Sequence, residues 1–235
     1  MNELEEALVN VLTGQGAVMV GFADIADLPA QSRQYMDSAL WFAVALDPRI
    51  VRDIENGPTK LYEIEYRKKN EILSKLTRQA TKVIRSFGFE ARPRQPTDED
   101  IDWIDLVTPL PHKTVATRAG VGWIGKCGLL VTEEYGSAIR MAVVLTDASF
   151  TWTQPIGYSM CGDCEECVVH CPAGAPTGED WIKGMEREEY YDAHKCHEHI
   201  IDTIKAKGLS AKVCGVCIAV CPYTKKYVKH HLASP

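Results

Sequence analysis

The chain has 235 residues, 46% of them hydrophobic, and a formal net charge of −6, which fits one large or two small globular domains. No apolar run reaches the ~20 residues of a transmembrane helix, so we expect no membrane partner, and the acidic balance disfavours a nucleic-acid partner. Because no secretory signal opens the chain, its nine cysteines indicate a cytoplasmic protein with reduced thiols rather than a disulfide scaffold.

Hydrophobic periodicity divides the first part of the chain into helices and strands. Asn2 followed three residues later by Glu5 has the spacing of a capping box, which begins a helix. The predicted elements are a helix at 2–13, buried strands at 17–25 and 39–46, a helix at 60–87 and a short strand at 89–91. The charged face of the longer helix is expected to be solvated.

Residues 101–126 lack periodicity and are rich in Gly, Pro and Trp, which indicates an ordered loop system. Two apolar stretches follow, at 128–132 and 138–147, and both are predicted strands. Together with the two earlier buried strands they are expected to form one sheet, covered by the two helices. Residues 179–205 have a mostly helical pattern.

The second half of the chain contains two cysteine runs that end in Cys-Pro. Their spacings, C-x2-C-x2-C-x3-C-P and C-x2-C-x3-C-P, are typical of bacterial ferredoxins, where the last cysteine of a run binds the other [4Fe–4S] cluster. One predicted cluster therefore uses Cys161, Cys164, Cys167 and Cys221. The other uses Cys171, Cys214 and Cys217.

The second cluster needs a fourth ligand, because Ala211 stands where the repeat would place another thiol. Cys196 is the one cysteine between the two runs and is the predicted replacement. Cys127 is then left over, and we expect it to be a small buried thiol. A zinc site explains the pattern less well, because it predicts neither a third thiol at the same spacing nor two Cys-Pro pairs.

Several motifs occur in a fixed order along the chain. They are AGVGWIGK at 119–126, Gly136-Ser137, Thr146-Asp147, the first cysteine run, DAHKC at 192–196 and the second cysteine run. In this order they resemble the epoxyqueuosine reductases, which are iron–sulfur, cobalamin-dependent enzymes related in core fold to the reductive dehalogenases. The DAHKC motif supports Cys196 as a cluster ligand.

The resemblance implies an α+β protein, with a nitroreductase-like α/β sheet domain at 1–150 followed by a two-cluster bacterial ferredoxin-like module at 151–235. Two [4Fe–4S] clusters would deliver single electrons from an external low-potential donor, of ferredoxin or flavodoxin type, to a bound cobalamin. A small-molecule substrate or a corrinoid would be reduced. Family members that recognise tRNA carry a C-terminal helical-repeat domain, and we expect the present chain to be a short form without it.

The resemblance also implies which residues face the cobalamin. They are Thr114, Gly120, Gly122, Trp123, Gly125, Lys126, Ser137 and Arg140. The glycines would let the backbone approach a flat ligand closely, with ordinary turn geometry as the alternative. Lys126 would meet a corrin amide, a phosphate or a carboxylate, with a surface salt bridge as the alternative.

Two residues are candidates for the proton donor. Asp105 lies in the stretch that corresponds to the family's acid, although the length of this stretch departs from the family pattern. A carboxyl group there needs a pKa raised by desolvation to act as an acid at pH 7. His112 titrates near neutrality and could donate a proton. For each residue, an ordinary role in a turn or loop is the alternative.

Two other functions fit the same sequence. The chain could be a ferredoxin-type electron-transfer protein without catalysis, whose N-terminal domain only docks a partner. It could also be a flavin-dependent reductase, because nitroreductase-like folds often hold FMN. Absence of a bound corrinoid would favour the first alternative, and visible spectra would separate flavin from corrinoid.

Overall fold

A computed structural model describes residues 1–97 and 100–233 and contains both helices and strands. In chain order they are α1 (Glu3–Thr13), β1 (Met19–Asp24), β2 (Ser38–Ala45), α2 (Pro48–Arg52), α3 (Lys60–Ser86), β3 (Ala91–Arg94), α4 (His112–Arg118), β4 (Trp123–Ile124), β5 (Leu130–Val131), β6 (Ile139–Thr146), α5 (Glu166–Val169), α6 (Arg187–Tyr190), α7 (Ala193–Lys207), α8 (Val216–Val220) and α9 (Pro222–Ala233). No helix in these described ranges is long and apolar enough to cross a bilayer.

The chain forms two compact units, each assembled from three segments. The first unit comprises Met1–Ala45, Lys69–Val121 and Arg140–Ile156, and the second comprises Leu46–Lys68, Gly122–Ile139 and Gly157–Pro235. The predicted division into domains at 1–150 and 151–235 stays a prediction. It was based on the function expected of each segment, whereas the two units are defined by how the chain packs.

The first unit is built on a sheet with the strand order β1-β2-β6-β3. β1 pairs antiparallel with β2, and β3 pairs antiparallel with β6. Leucines of α1 and α3, including Leu8, Leu12, Leu73 and Leu76, pack with the buried residues of the sheet in one core. Burying such a side chain contributes about 1.5–3 kcal/mol, so this core holds both helices against the sheet, as predicted.

Five elements confirm the predicted ones to within two residues at each end: α1, β1, β2, α3 and β6. The capping box is also present, because the Asn2 side chain accepts the Glu5 N–H and the Glu5 carboxylate accepts the Asn2 N–H. Glu5 is fully buried, and its carboxylate also accepts the backbone N–H of Thr151.

Four predicted elements differ from the structure. Residues 128–132 do not join the main sheet, because β5 pairs with β4 in a separate two-stranded ribbon. The strand predicted at 89–91 lies instead at β3, on the edge of the main sheet. The loop predicted at 101–126 contains α4, and the helix predicted at 179–205 begins only at Arg187 and is interrupted before α7. The two predicted strands are too short for an apolar pattern to fix their pairing or boundary, and the patterns at 101–126 and 179–205 are too irregular to locate α4 or the break before α7.

The first two turns of α3 depart from the predicted solvated face. Leu61 and Ile64 are 62% and 53% exposed, whereas Glu63 and Glu65 are 1% and 5% exposed. Glu65 accepts the backbone N–H of Asp47 at 2.9 Å. These turns lie in the second unit, whereas the helix from Lys69 onward lies in the first, so a single hydrophobic face does not run along the whole helix.

Candidate metal centre

Six thiols line one cavity of about 320 Å³ in the second unit. They belong to Cys127, Cys161, Cys164, Cys167, Cys217 and Cys221. Four of these are the predicted ligands of the first cluster. The first cysteine run supplies three of them, and the residue just before α9 supplies the fourth, which is the arrangement that the ferredoxin spacing predicts.

Cys171, Cys196 and Cys214 form a second neighbourhood of thiols. The pKa of the Cys196 thiol is raised by burial and, to a smaller extent, by the nearby Cys214 and Cys171 thiols, so three predicted ligands of the second cluster lie near one another. Cys196 is held on α7, whose first turn is capped by the Asp192 side chain as it accepts the Lys195 N–H. The fourth predicted ligand, Cys217, borders the first cavity.

Backbone N–H groups point at several of these sulfurs. Cys171 accepts the N–H of Ala175 at 3.4 Å. Cys214 accepts from the start of α8, and Cys221 accepts from the N–H groups of Tyr223 and Thr224 in the first turn of α9. The first N–H groups of a helix have no partner inside the helix, so each Cys-to-helix junction provides donors that stabilise a thiolate.

Burial raises the pKa of the thiols of Cys196, Cys214 and Cys221. A hydrogen bond to Cys127 raises the pKa of the Cys167 thiol. Because thiols bind metals as thiolates, iron binding at these positions has to release protons.

Within 1–97 and 100–233, no group of three or more His, Cys, Asp or Glu side chains converges closely enough to hold a single metal ion. A zinc ion needs four ligands within about 2.3 Å of one point. A [4Fe–4S] cluster takes each thiolate on a different iron, so its ligands stand further apart. Thiols that line one cavity are the kind of ligand that a [4Fe–4S] cluster takes.

Lys126 points toward the cysteine run rather than into solvent. Its side chain is buried, and its ammonium donates to the carbonyl oxygen of Gly162 at 2.7 Å. Its positive charge also acts on the Cys167 thiol and lowers the pKa there, against the larger raising effect of Cys127. Lys126 thus fixes the turn after Cys161 and stabilises negative charge among the cluster ligands.

The three glycines of the AGVGWIGK loop are each packed closely against their own unit. A Cβ added at Gly120 would lie 2.6 Å from the Gln154 carbonyl oxygen, and one at Gly122 would lie 2.4 Å from the Val131 carbonyl oxygen. At Gly125 it would lie 2.8 Å from a Val131 methyl group. Internal packing therefore requires glycine at these positions, whatever ligand the loop contacts.

Trp123 and Ser137 fit a polar ligand better. Both are buried, and within residues 1–97 and 100–233 neither the Trp123 indole N–H nor the Ser137 hydroxyl has a hydrogen-bond partner. The Trp123 ring packs edge-on against the Tyr223 ring, with 5.0 Å between the ring centroids. The Ser137 N–H donates to the Thr224 hydroxyl at 3.1 Å. Buried polar atoms are rarely left unsatisfied, so these two side chains are suited to a ligand with polar groups.

The other predicted site residues lie in the first unit. Arg140 is half-buried and donates to Asn70 at 3.1 Å and to the Pro96 carbonyl at 3.0 Å. His112 and Thr114 are half-buried residues of the first turn of α4. The predicted residues are thus divided between the two units rather than confined to one.

Asp105 is an exposed residue in a small closed loop. Asp102 and Val107 pair through two backbone hydrogen bonds, of 2.8 and 3.2 Å, and the Asp102 side chain accepts the Asp105 N–H at 3.2 Å. Leu106 has φ of 54°, a left-handed conformation that is uncommon for a residue other than glycine. Such strained positions cluster at functional sites, so the loop remains a candidate for proton delivery.

Two residues of the thiol region were not predicted from the sequence. The Tyr191 hydroxyl is hydrogen-bonded to Cys196, and its place directly before the DAHKC motif is a signal that could have identified it. The carboxylate of Glu63 accepts the N–H groups of Ser210 and Ala211, both at 2.8 Å, three residues before Cys214. A helical pattern alone gives no signal for this contact.

The family model for the 4Fe-4S double cluster binding domain matches residues 160–224, which contain all eight predicted cluster ligands. Epoxyqueuosine reductase of Listeria monocytogenes is 34% identical over 155 residues, covering 65% of this chain and 39% of that protein. That of Lactococcus garvieae is 35% identical over 118 residues, covering 49% and 32%. Over about half to two thirds of its length, the chain is similar to the epoxyqueuosine reductases. It spans about a third to two fifths of the length of these two relatives.

Solved structures show the same fold. A reductive dehalogenase described with a mechanism for B12-dependent dehalogenation superposes with a TM-score of 0.71, at 17% identity, over 93% of this chain and 32% of its own. An epoxyqueuosine reductase solved with an epoxyqueuosine-modified tRNA-Tyr stem loop gives 0.64, at 19% identity, over 95% and 66%. The mixed helix-and-sheet fold is therefore shared with both groups of enzymes.

Proposed function

We propose that the chain is an iron–sulfur reductase that passes electrons through two [4Fe–4S] clusters to a bound cobalamin. The observation that carries the proposal is the ring of thiols around the 320 Å³ cavity, within the segment that matches the double-cluster domain. A nitroreductase-like first module, the donor of ferredoxin or flavodoxin type, and reduction of a small molecule or corrinoid belong to the same proposal.

The chain's own residues hold and tune the clusters. Lys126 fixes the first cysteine run through the Gly162 carbonyl, and Glu63 fixes the segment before Cys214 through two backbone N–H groups. Helix-start N–H groups stabilise the sulfurs of Cys214 and Cys221. Donors around a cluster set its reduction potential together with burial and charge, so these contacts decide how strong a reductant each cluster is.

Cobalamin would fit the polar groups of Trp123 and Ser137, which have no hydrogen-bond partner in the part of the chain that the structure describes, because a corrin ring carries amide side chains around its edge. These two residues would hold it, whereas Lys126 and Arg140 already bond within their own units. When bound, cobalamin supplies a strongly reducing and nucleophilic cobalt centre. Placement and proton delivery are left to the protein.

Asp105 and His112 are the proposed proton donors. Asp105 lies in the strained, exposed loop closed by Asp102 and Val107, where solvent and a substrate can reach its carboxyl group. His112 begins α4 and is half-buried. Replacing either residue should slow turnover while iron and corrinoid contents stay unchanged, if that residue supplies the proton.

Two alternatives are separated by the cofactor content. An electron-transfer protein without catalysis would bind the clusters but no corrinoid. A flavin reductase would bind FMN, although no relative described above is named as a flavoprotein. The tRNA stem loop in one related structure makes RNA a possible substrate, against the net charge of −6, and a tRNA-binding assay at physiological salt tests this directly.

The test is anaerobic reconstitution of the full chain with iron, sulfide, cobalamin and FMN. Two clusters require about eight iron and eight sulfide per chain, and bound cob(II)alamin gives an EPR signal whose form reports its axial ligand. Cys196→Ala should reduce the iron content to about four, whereas the exposed neighbour variant His194→Ala should retain about eight. Eight iron without corrinoid would leave the electron-transfer alternative, and unchanged iron in Cys196→Ala would refute the second cluster as assigned.

A further inference from the structure

The first two turns of α3, which belong to the second unit, have two sides of opposite character. On the inner side, Tyr62 is buried and packs against Gly215, where an added Cβ would lie 3.0 Å from the tyrosine ring. Glu63 is buried next to it and accepts two backbone N–H groups from residues 210–211. Gly215 directly follows Cys214, a predicted ligand of the second cluster, so this helix start supports the segment that carries the ligand.

The outer side of the same turns carries both apolar and cationic side chains. Its residues recur at the three- and four-residue spacing that places side chains on one face of a helix. We call this surface the α3 face; it consists of the exposed residues Lys60, Leu61, Ile64, Arg67 and Lys68. Leu61 and Ile64 form its centre, and the three cations surround them. An apolar centre with a polar rim is the usual anatomy of a protein–protein interface.

The exposed charges around the α3 face are all positive. In the segments 58–68 and 203–215 they belong to Lys60, Arg67, Lys68, Lys205, Lys207 and Lys212. Both acids of these segments, Glu63 and Glu65, are buried, and Glu63 offsets one positive charge through its ion pairs with two of the cations. Lys207 is fixed beside the helix start, because its ammonium donates to the Pro58 carbonyl at 3.1 Å. In a chain of net charge −6, this local positive excess is complementary to an acidic partner.

Other occupants fit the α3 face less well. A second copy of the chain would meet it across a two-fold axis, which sets the same cations opposite one another. A nucleic-acid strand would use the cations, but its bases stack on exposed aromatic rings. In the segments 58–68 and 203–215 the two tyrosines, Tyr62 and Tyr66, are buried or half-buried. An acidic protein uses both the apolar centre and the cations.

We infer that the α3 face is the docking surface for an acidic one-electron carrier protein, which delivers its electron to the second cluster. The carrier is oxidised by one electron and the cluster is reduced by one, with no bond formed or broken. The Cys214 segment lies on the opposite side of this helix start, so a docked carrier is separated from it by about one helix diameter, roughly 10–12 Å. This inference rests on the proposed function, to which it adds the binding surface for the external donor of ferredoxin or flavodoxin type.

The test measures, by anaerobic stopped flow, how fast a reduced flavodoxin and a reduced bacterial ferredoxin reduce the clusters of the reconstituted full chain. Lys68→Glu should lower the second-order rate constant about three- to tenfold at low ionic strength. This difference should vanish at about 1 M salt, where charges are screened beyond about 3 Å. Ile64→Ser should weaken binding of either carrier about tenfold at both salt concentrations, because it removes apolar contact area. Lys82→Glu, an equal change of charge at an exposed position near the other end of α3, should behave like the wild type.

Two controls separate this inference from the proposed function. The three variants should each hold about eight iron, and photoreduced deazaflavin, a small neutral reductant, should reduce them all at the wild-type rate. About four iron or less in the wild type would overturn the proposed two-cluster function and the docking surface together. Full iron content, with equal rates from both carriers in the wild type, Lys68→Glu and Ile64→Ser, would overturn the docking surface alone.

Further outcomes identify the entry cluster and any other occupant. Cys196→Ala should no longer be reduced rapidly by the carriers, and reduction of its remaining cluster at the wild-type rate would overturn entry through the second cluster. Unchanged carrier rates in Lys68→Glu, together with loss of binding to tRNA or to anionic lipid vesicles, would assign the face to that ligand instead. A dimer in sedimentation velocity that Ile64→Ser dissociates would assign the face to a second copy of the chain.

Discussion

Gly122→Ala tests whether the glycine-rich loop is shaped by the protein itself or by a flat ligand. Gly122 is buried directly before β4, and a Cβ there would lie 2.4 Å from the Val131 carbonyl oxygen and 3.2 Å from a Thr132 methyl carbon. Because Val131 pairs with Trp123 in the two-stranded ribbon, its carbonyl cannot move without disturbing that pairing. The backbone of Gly122 has no positive φ, so steric contact is the whole cost of the substitution.

Overpacking of this kind costs about 1–3 kcal/mol. For a chain of this size, each kcal/mol lowers the melting temperature by roughly 2–4 °C, so we expect a decrease of about 4–8 °C for a cost of about 2 kcal/mol. Thermal unfolding of the cluster-loaded protein, followed by circular dichroism under anaerobic conditions, measures it. Gly157→Ala is the matched control, because its Cβ would lie 3.7 Å from the Lys183 side chain, an ordinary van der Waals contact, and should leave the melting temperature nearly unchanged.

Corrinoid binding is measured on the same samples. We expect any loss of corrinoid binding in Gly122→Ala to be accompanied by a loss of stability. A variant that melts like the wild type but no longer binds cob(II)alamin would refute it, and would indicate that Gly122 contacts the ring directly.

Three further predictions concern residues around the thiols. A hydrogen bond from Lys60, with those from Ser210, lowers the pKa of Glu63 from its ordinary value of 4.5; its stabilisation is therefore present above that value and lost as the pH falls. Glu63→Gln should lower the melting temperature at pH 7, and the difference from the wild type should shrink as the pH falls below about 4. The control Glu71→Gln, at an exposed position, should change neither the melting temperature nor its pH dependence. Tyr191→Phe should lower the potential of the second cluster by about 40 mV, the one-electron equivalent of a hydrogen bond worth about 1 kcal/mol, and Tyr190→Phe is its control. Lys126→Met should lower the iron content of the reconstituted protein by a larger fraction than its corrinoid content, as separate iron and cobalt analyses would show.

The elements predicted correctly from the sequence share a long, uninterrupted signal. α3 has 27 residues and β6 has eight, and α1 carries its capping box in adjacent residues. The short strands β4 and β5 have two residues each, too few for periodicity to assign them to a sheet. Their pairing depends on the turn at Gly128, which has positive φ, and on packing from distant parts of the chain.

The cysteine ligands were predictable because metal chemistry fixes both the residue type and its spacing. Supporting residues have no such constraint in sequence. Glu63 stands 147 positions from Ser210, and Tyr191 and Cys127 meet their partners only through tertiary folding. Sequence spacing can reveal which groups would bind iron, but not which buried donors would tune them.

The AGVGWIGK loop contributes residues both to the first cysteine run and to the candidate cofactor site. Gly125 packs beside the Cys161 sulfur, and Lys126 holds the turn after Cys161. Trp123, in the same loop, has a buried indole N–H that makes no hydrogen bond within the described residues. Because one short segment supports the first cysteine run and also offers a polar group to a ligand, a substitution in it can change cluster assembly and corrinoid binding at once. Only a variant with full iron content can therefore report on the cofactor, and Trp123→Phe, which removes the indole N–H and leaves Lys126 untouched, is the substitution that separates the two roles.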